Sequence, residues 1–155
     1  MADLRLLTYC GLYCGLCAQR NRIPKRARNL QEAMKKEGYE QWGYTIPGFK
    51  DFWQFLGRLV ESESTSSCRE GQCGPPFCGI RKCARKKGIE VCVFCKEYPC
   101  DRILGIAKGY PTLLADGKRM KDIGIECWIK EQEERAMTGF AYVDIRCYPY
   151  EIDEK

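Results

Sequence analysis

Ten cysteines crowd into two short stretches of a chain that contains no histidine, and this limits the possible folds more than any other feature. The first stretch is Cys10-x3-Cys14-x2-Cys17, and the second is Cys68-x4-Cys73-x4-Cys78-x4-Cys83-x8-Cys92-x2-Cys95-x4-Cys100. Such density means either a disulfide framework in an oxidising compartment or thiolates gathered around metal in a reducing one. The opening Met1-Ala2-Asp3-Leu4-Arg5-Leu6-Leu7 lacks the charged region, long apolar run and small-residue cleavage site of a signal peptide. No run approaches the roughly 18 apolar residues of a spanning helix. The expectation is a cytoplasmic protein with reduced thiols, no membrane partner and bound metal.

Chelation rewards clustered ligands, because a loop already closed by one metal bond loses little further entropy in delivering the next donor. A tight turn at Cys-x2-Cys aims two sulfurs at one tetrahedral ion, and that spacing occurs at Cys14/Cys17 and at Cys92/Cys95. Three cysteines cannot close a four-ligand site without histidine, so the first stretch must borrow a ligand or leave a position open. The preferred partition joins Cys10, Cys14 and Cys17 with one of Cys68, Cys73 or Cys78, and groups Cys83, Cys92, Cys95 and Cys100. Two zinc ions are the expected cofactors, with a [4Fe-4S] cluster as the alternative, since thiolates suit both. Cys-x3-Cys-x2-Cys also occurs in radical S-adenosylmethionine enzymes, but their barrel needs a longer chain than 155 residues. Cys127 and Cys147 stand alone and are expected as buried apolar thiols.

The formal charge of +5 suggests an anionic partner at first sight. Four thiolates around a divalent ion carry a net −2, because ligands must be deprotonated, and two such sites would lower +5 to +1. The run Arg81, Lys82, Arg85, Lys86, Lys87 allows three readings: a solvated helix face, a phosphate-binding patch, or cations that neutralise nearby thiolates. Arg20 to Lys36, with seven positive side chains and one negative, is the better nucleic-acid candidate. No regular finger spacing with histidine and no aromatic RNA-binding motif accompanies it.

Hydrophobic periodicity predicts helices between the cysteines. Ala27, Leu30, Ala33 and Met34 recur at helical spacing before Gly38. Phe49, Phe52, Trp53, Leu56, Leu59 and Val60 give the strongest pattern, read as a face packed on the core. Glu61 to Ser67 reads as a polar break. Ile103, Leu104 and Ala107 predict a short helix ending at Gly109, and Ile125, Trp128, Ile129, Gln132 and Ala136 another ending at Gly139. Phe140 to Tyr150 is rich in strand formers. The expected fold class is mainly α with cysteine-rich, zinc-knuckle-like loops: a small, irregular α(+β), metal-stabilised single domain over residues 1–155, with a helical insert at 18–60.

Tyr9-Cys10-Gly11-Leu12-Tyr13-Cys14-Gly15-Leu16-Cys17, the block from Cys68 to Cys100 with Cys78-Gly79-Ile80-Arg81-Lys82-Cys83-Ala84 and Glu97-Tyr98-Pro99-Cys100, and Gly139-Phe140-Ala141-Tyr142 together resemble a prokaryotic family called domain of unknown function 3795. The resemblance implies a cysteine-rich, metal-binding protein of bacteria and archaea, many of them anaerobes, and carries over the ten clustered cysteines as ligands. Three function classes follow as expectations. The first is a zinc-stabilised module that binds a protein or, with weaker support, nucleic acid. The second is an iron-sulfur redox or electron-transfer protein. The third is an enzyme, for which no histidine base and no marked serine, lysine or acidic motif is present.

Overall fold

The structure, a computed structural model, describes residues 3–65, 67–71 and 78–147, with the backbone alone at 63–65. Among these residues seven α-helices follow one another: α1 (Arg22–Lys36), α2 (Tyr39–Trp42), α3 (Phe49–Thr65), α4 (Gly79–Lys87), α5 (Asp101–Ala107), α6 (Leu113–Ile123) and α7 (Ile125–Met137). The mainly helical class is what forms. No strand occurs among the described residues, only an isolated antiparallel bridge between Leu7 and Tyr13. No described helix is long and apolar enough to cross a membrane.

The chain divides into two compact units, one of Met1–Cys17 with Ser67–Lys155 and one of Ala18–Ser66. In the second unit α1 packs against α3. Gly38, at φ 81°, turns the chain out of α1 in a conformation that favours glycine. Gly43 lets the Phe49 ring approach, since a Cβ there would lie 2.7 Å from it. Phe49 in turn stacks on Trp53, with centroids 5.4 Å apart. The stripe expected on α3 is only partly internal: Leu56 is buried and Trp53, Leu59 and Val60 are half-buried, but Phe52 is 42% exposed. The polar break expected at Glu61 is also absent, because α3 continues to Thr65. Ser62 returns its hydroxyl to the Leu59 carbonyl at 2.7 Å, and no glycine or proline interrupts the turn.

In the first unit the core joins Leu7, Tyr13 and Leu16 to Val91, Val93, Met120, Trp128, Ile129 and Tyr142. Trp128 meets the Tyr13 ring edge-on at 6.4 Å, and Tyr142 accepts a hydrogen bond from the Tyr13 backbone N–H at 3.0 Å. α7 therefore forms where its periodicity placed it, burying Trp128, Ile129 and Gln132, and Gly139 follows at φ 87°. α6 lies beside it. The tail after Phe140, whose strand formers suggested a short strand or an extended wrap, gives a 3-10 turn at Tyr142–Asp144 and no strand among the described residues. The Asp144 carboxylate accepts from the Ala141 N–H at 3.0 Å and closes the chain locally. Residues 148–150 of that expectation lie outside the described residues.

Candidate metal centre

The first cysteine stretch begins as a miniature hairpin. The Thr8 N–H donates to the Leu12 carbonyl at 2.9 Å and the Leu12 N–H to Thr8 Oγ1 at 2.8 Å, with Gly11 at φ 97° supplying the turn. Cys10 is enclosed in this loop, its sulfur 3.1 Å from Thr8 Oγ1. The chain then forms a 3-10 turn at Cys14–Leu16, closed by the Cys17 N–H on the Cys14 carbonyl at 3.0 Å, and this turn packs on α7. Gly15 has an ordinary φ, so its role is spatial: a Cβ would run into the Tyr13 ring.

Cys92–Phe94 repeats the same backbone. Val91 is extended before the turn as Tyr13 is, Cys95 extended after it as Cys17 is, and the Cys95 N–H closes on the Cys92 carbonyl at 2.9 Å. The two Cys-x2-Cys spacings thus produce the tight turns expected of them. A hydrogen bond from the Cys92 N–H to the Tyr9 carbonyl, 2.8 Å long, fastens the second turn to the first stretch.

Arginines fasten a third segment, the loop that carries Cys68, which periodicity and spacing did not mark. Arg69 donates to the Leu7 carbonyl at 2.6 Å and the Glu90 carbonyl at 2.9 Å, and its guanidinium lies 4.8 Å over the Tyr9 ring. From α4, the buried Arg81 donates to the Cys68 carbonyl at 3.3 Å and Arg85 to the Arg69 carbonyl at 2.6 Å. Arg81 and Arg85 are therefore fasteners for the loop that carries Cys68. The only sequence signal for this was an arginine directly after a cysteine.

Cys10, Ile80, Ile103 and Leu113 form a buried cluster against which Cys78, Cys92 and Cys100 are packed, so thiols of both stretches share one apolar nucleus. Beside it Cys83, Cys92, Cys95 and Cys100 line one cavity of about 30 Å³, with Lys87, Tyr98 and Ile103 also in its wall. α4 supplies Cys83, the turn supplies Cys92 and Cys95, and the residue before α5 supplies Cys100. That volume is room for an ion or a water or two. Burial, and then the charges of Cys10, Cys100, Cys83 and Cys95, push the Cys92 thiol up to about 12. Burial pushes Cys10 up to about 11 against its hydrogen bonds from Thr8 and Leu12, with Cys68 and Cys78 adding to the rise. A divalent cation would reverse both effects, since it stabilises the thiolates that burial and mutual repulsion disfavour.

Lys87 stands at the rim, 2.8 Å from a Glu97 oxygen. That hydrogen bond raises the ammonium above its ordinary value, and Cys95 and Cys83 raise it further. All eleven described cysteines are free thiols, while Cys73 lies outside the described residues. Among the described residues no three Cys, Asp or Glu side chains converge closely enough to hold an ion as they stand. Cys127 and Cys147, expected to be buried, are exposed. Cys127 lies off the Trp128–Ile129–Gln132 face of α7, and Cys147 follows the Tyr142–Asp144 turn, where its N–H reaches the Gly109 carbonyl at 3.1 Å.

No curated protein and no solved structure matches the chain. Residues 6–105 match the family described as Protein of unknown function (DUF3795), a span that holds all ten clustered cysteines. Because that match takes in well over half of the sequence, the chain belongs to the DUF3795 family.

Proposed function

We propose that this protein is a zinc-stabilised, partner-binding module in which Cys83, Cys92, Cys95 and Cys100 hold one ion. The observation that carries the reading is that these four cysteines, supplied by α4, by the Cys92–Phe94 turn and by the residue before α5, line one ion-sized cavity. A second ion would fall to Cys10, Cys14 and Cys17 with one of Cys68, Cys73 or Cys78, and the influence of Cys68 and Cys78 on the enclosed Cys10 supports that sharing. Zinc supplies tetrahedral bonding and charge neutralisation without redox chemistry. Lys87 offsets part of the net −2 of a four-thiolate site. A cavity of about 30 Å³ suits a lone ion better than a cluster with inorganic sulfide. Exposed Tyr44, Phe52 and Phe55 support a role in binding a partner.

Purification under reducing, oxygen-free conditions followed by elemental analysis tests the assignment. The expected result is zinc bound in a fixed ratio, falling by one ion per chain in Cys95→Ser and Cys100→Ser. Iron with visible charge-transfer absorption would replace this reading by the iron-sulfur one, and absence of any bound metal would end both.

A further inference from the structure

A second concavity opens on the outer face of α4. It is a cleft of about 540 Å³ lined by Gly79, Lys82, Cys83, Lys86, Lys87 and Arg102. Three of its four cations come from α4, Lys82 one turn before the neighbours Lys86 and Lys87, and the fourth comes across from α5, so the positive charge converges from two elements. Lys87 is paired with Glu97. Among the described residues the side chains of Lys82, Lys86 and Arg102 make no hydrogen bond or close ion pair, and Arg102 acts on Glu97 only through space. The lining itself holds no acid and Glu97 beside it answers only part of the positive charge, so a bound anion lowers the repulsion that remains. Gly79 borders Arg102: a Cβ there would make ordinary contact, 3.5 Å from Nε, so a longer side chain would crowd the guanidinium and the cleft.

We propose that this cleft binds a small molecule carrying a phosphoryl or pyrophosphoryl group. Its volume is that of a small-ligand pocket, in the range of about 300 to 1,000 Å³. Arg102 offers the planar fork that engages two phosphate oxygens at once, and the lysines supply point charge around it. A nucleic-acid backbone would call instead for a stripe of cations running along the surface. The cleft and the four-thiol cavity share Cys83, Lys87 and Arg102. A divalent ion on four thiolates would therefore add negative charge beside the anion, and metal-loaded protein should hold the anion less tightly than metal-free protein. The anion site itself does not depend on the metal assignment.

Isothermal titration of inorganic pyrophosphate into the full-length protein at low salt is the test, with metal content measured separately on the same samples. Binding is expected, weakening as salt is raised. Lys82→Ala/Arg102→Ala should weaken it by about tenfold or more. Gly79→Leu, which alters shape and not charge, should weaken it as well. Lys25→Ala/Arg28→Ala on α1, which removes the same charge elsewhere, should leave it unchanged. No binding at millimolar pyrophosphate would overturn the proposal, as would equal weakening by the α1 variant or indifference to Gly79→Leu. Binding of a single-stranded oligonucleotide in the absence of pyrophosphate binding would also overturn it, in favour of a nucleic-acid face. Failure to find zinc in these samples would refute the metal reading alone.

Discussion

Burial and four neighbouring thiols push Cys92 up to about 12, and Cys10, enclosed near Cys68 and Cys78, goes to about 11, against an ordinary value of 9.0. Both shifts have a definite sign in stability. In the metal-free protein the unfolded chain loses these protons near pH 9 while the folded chain keeps them for two units or more. Folding then takes up protons in that window, and stability falls as pH rises from about 9 to about 12. For the buried Cys10 the loss amounts to about 2 to 3 kcal/mol. Burial also raises Tyr13 and Tyr142, which act in the same direction above pH 10. With metal bound the thiols are already ionised in the folded state, so the unfolded chain holds the extra protons below pH 9. Stability should then rise with pH towards 9 and level off above it, where the thiol contribution is fully present and its pH dependence is gone. Urea melts of reduced protein at pH 8, 9.5 and 11, with and without zinc, check the two slopes. Identical slopes in both series would mean that these thiols do not ligate the ion.

At the level of elements, two glycines separate close fit from helix propensity. Gly117 lies in α6, where a Cβ would come 2.5 Å from Tyr98 Oη and 3.1 Å from Val93 Cγ2. Tyr98 lines the four-thiol cavity and Val93 is buried in the core, so neither yields easily. Gly105, in α5, would meet nothing within 4 Å. Alanine gains about 1 kcal/mol of helix propensity at either site. Overpacking at Gly117 costs about 1 to 3 kcal/mol and disturbs a cavity wall as well. Gly117→Ala should therefore lower the melting temperature and weaken zinc binding, whereas Gly105→Ala should raise the melting temperature and leave zinc binding unaltered. A stabilised Gly117→Ala would show that α6 does not press on Tyr98. Periodicity missed α6 as well as the single-turn α2: the buried positions of α6 are only Leu113, Gly117 and Met120, and a glycine in the middle of a sparse stripe reads as a break. α1, α5 and α7 were legible because their apolar spacing ended on Gly38, Gly109 and Gly139. The paired Cys-x2-Cys turns were legible for the same local reason. The arginine fasteners were not, since Arg69, Arg81 and Arg85 act on carbonyls of distant loops and leave no mark in periodicity. The same holds for the basic run on α4, where Arg81 and Arg85, one turn apart, act as fasteners while Lys82, Lys86 and Lys87 line a cleft.

Across the whole molecule the cysteines and the units are segregated, for all twelve cysteines lie outside Ala18–Ser66. A metal can therefore act directly on one unit only. The other rests on the packing of α1 against α3 and on the stack of Phe49 with Trp53. In the cysteine-bearing unit, structural zinc would contribute apparent binding free energy of about 10 to 16 kcal/mol, comparable to the whole stability of an ordinary domain. The apolar core around Trp128 and the arginine fasteners remain when the ion leaves, so the loss should be graded by distance from the cavity. Hydrogen exchange after chelation under reducing conditions should rise first in α4, in the Cys92–Phe94 turn and in α5, which supply the four thiols. α7, buried on the Trp128 face, should follow later, while α1 and α3 keep the protection they had in the loaded protein. Simultaneous loss of protection in α1, α3 and α7 would mean that the chain unfolds as a single cooperative body. Unchanged protection in α4 and α5 after verified metal removal would mean that packing and the arginine network alone hold the thiols together.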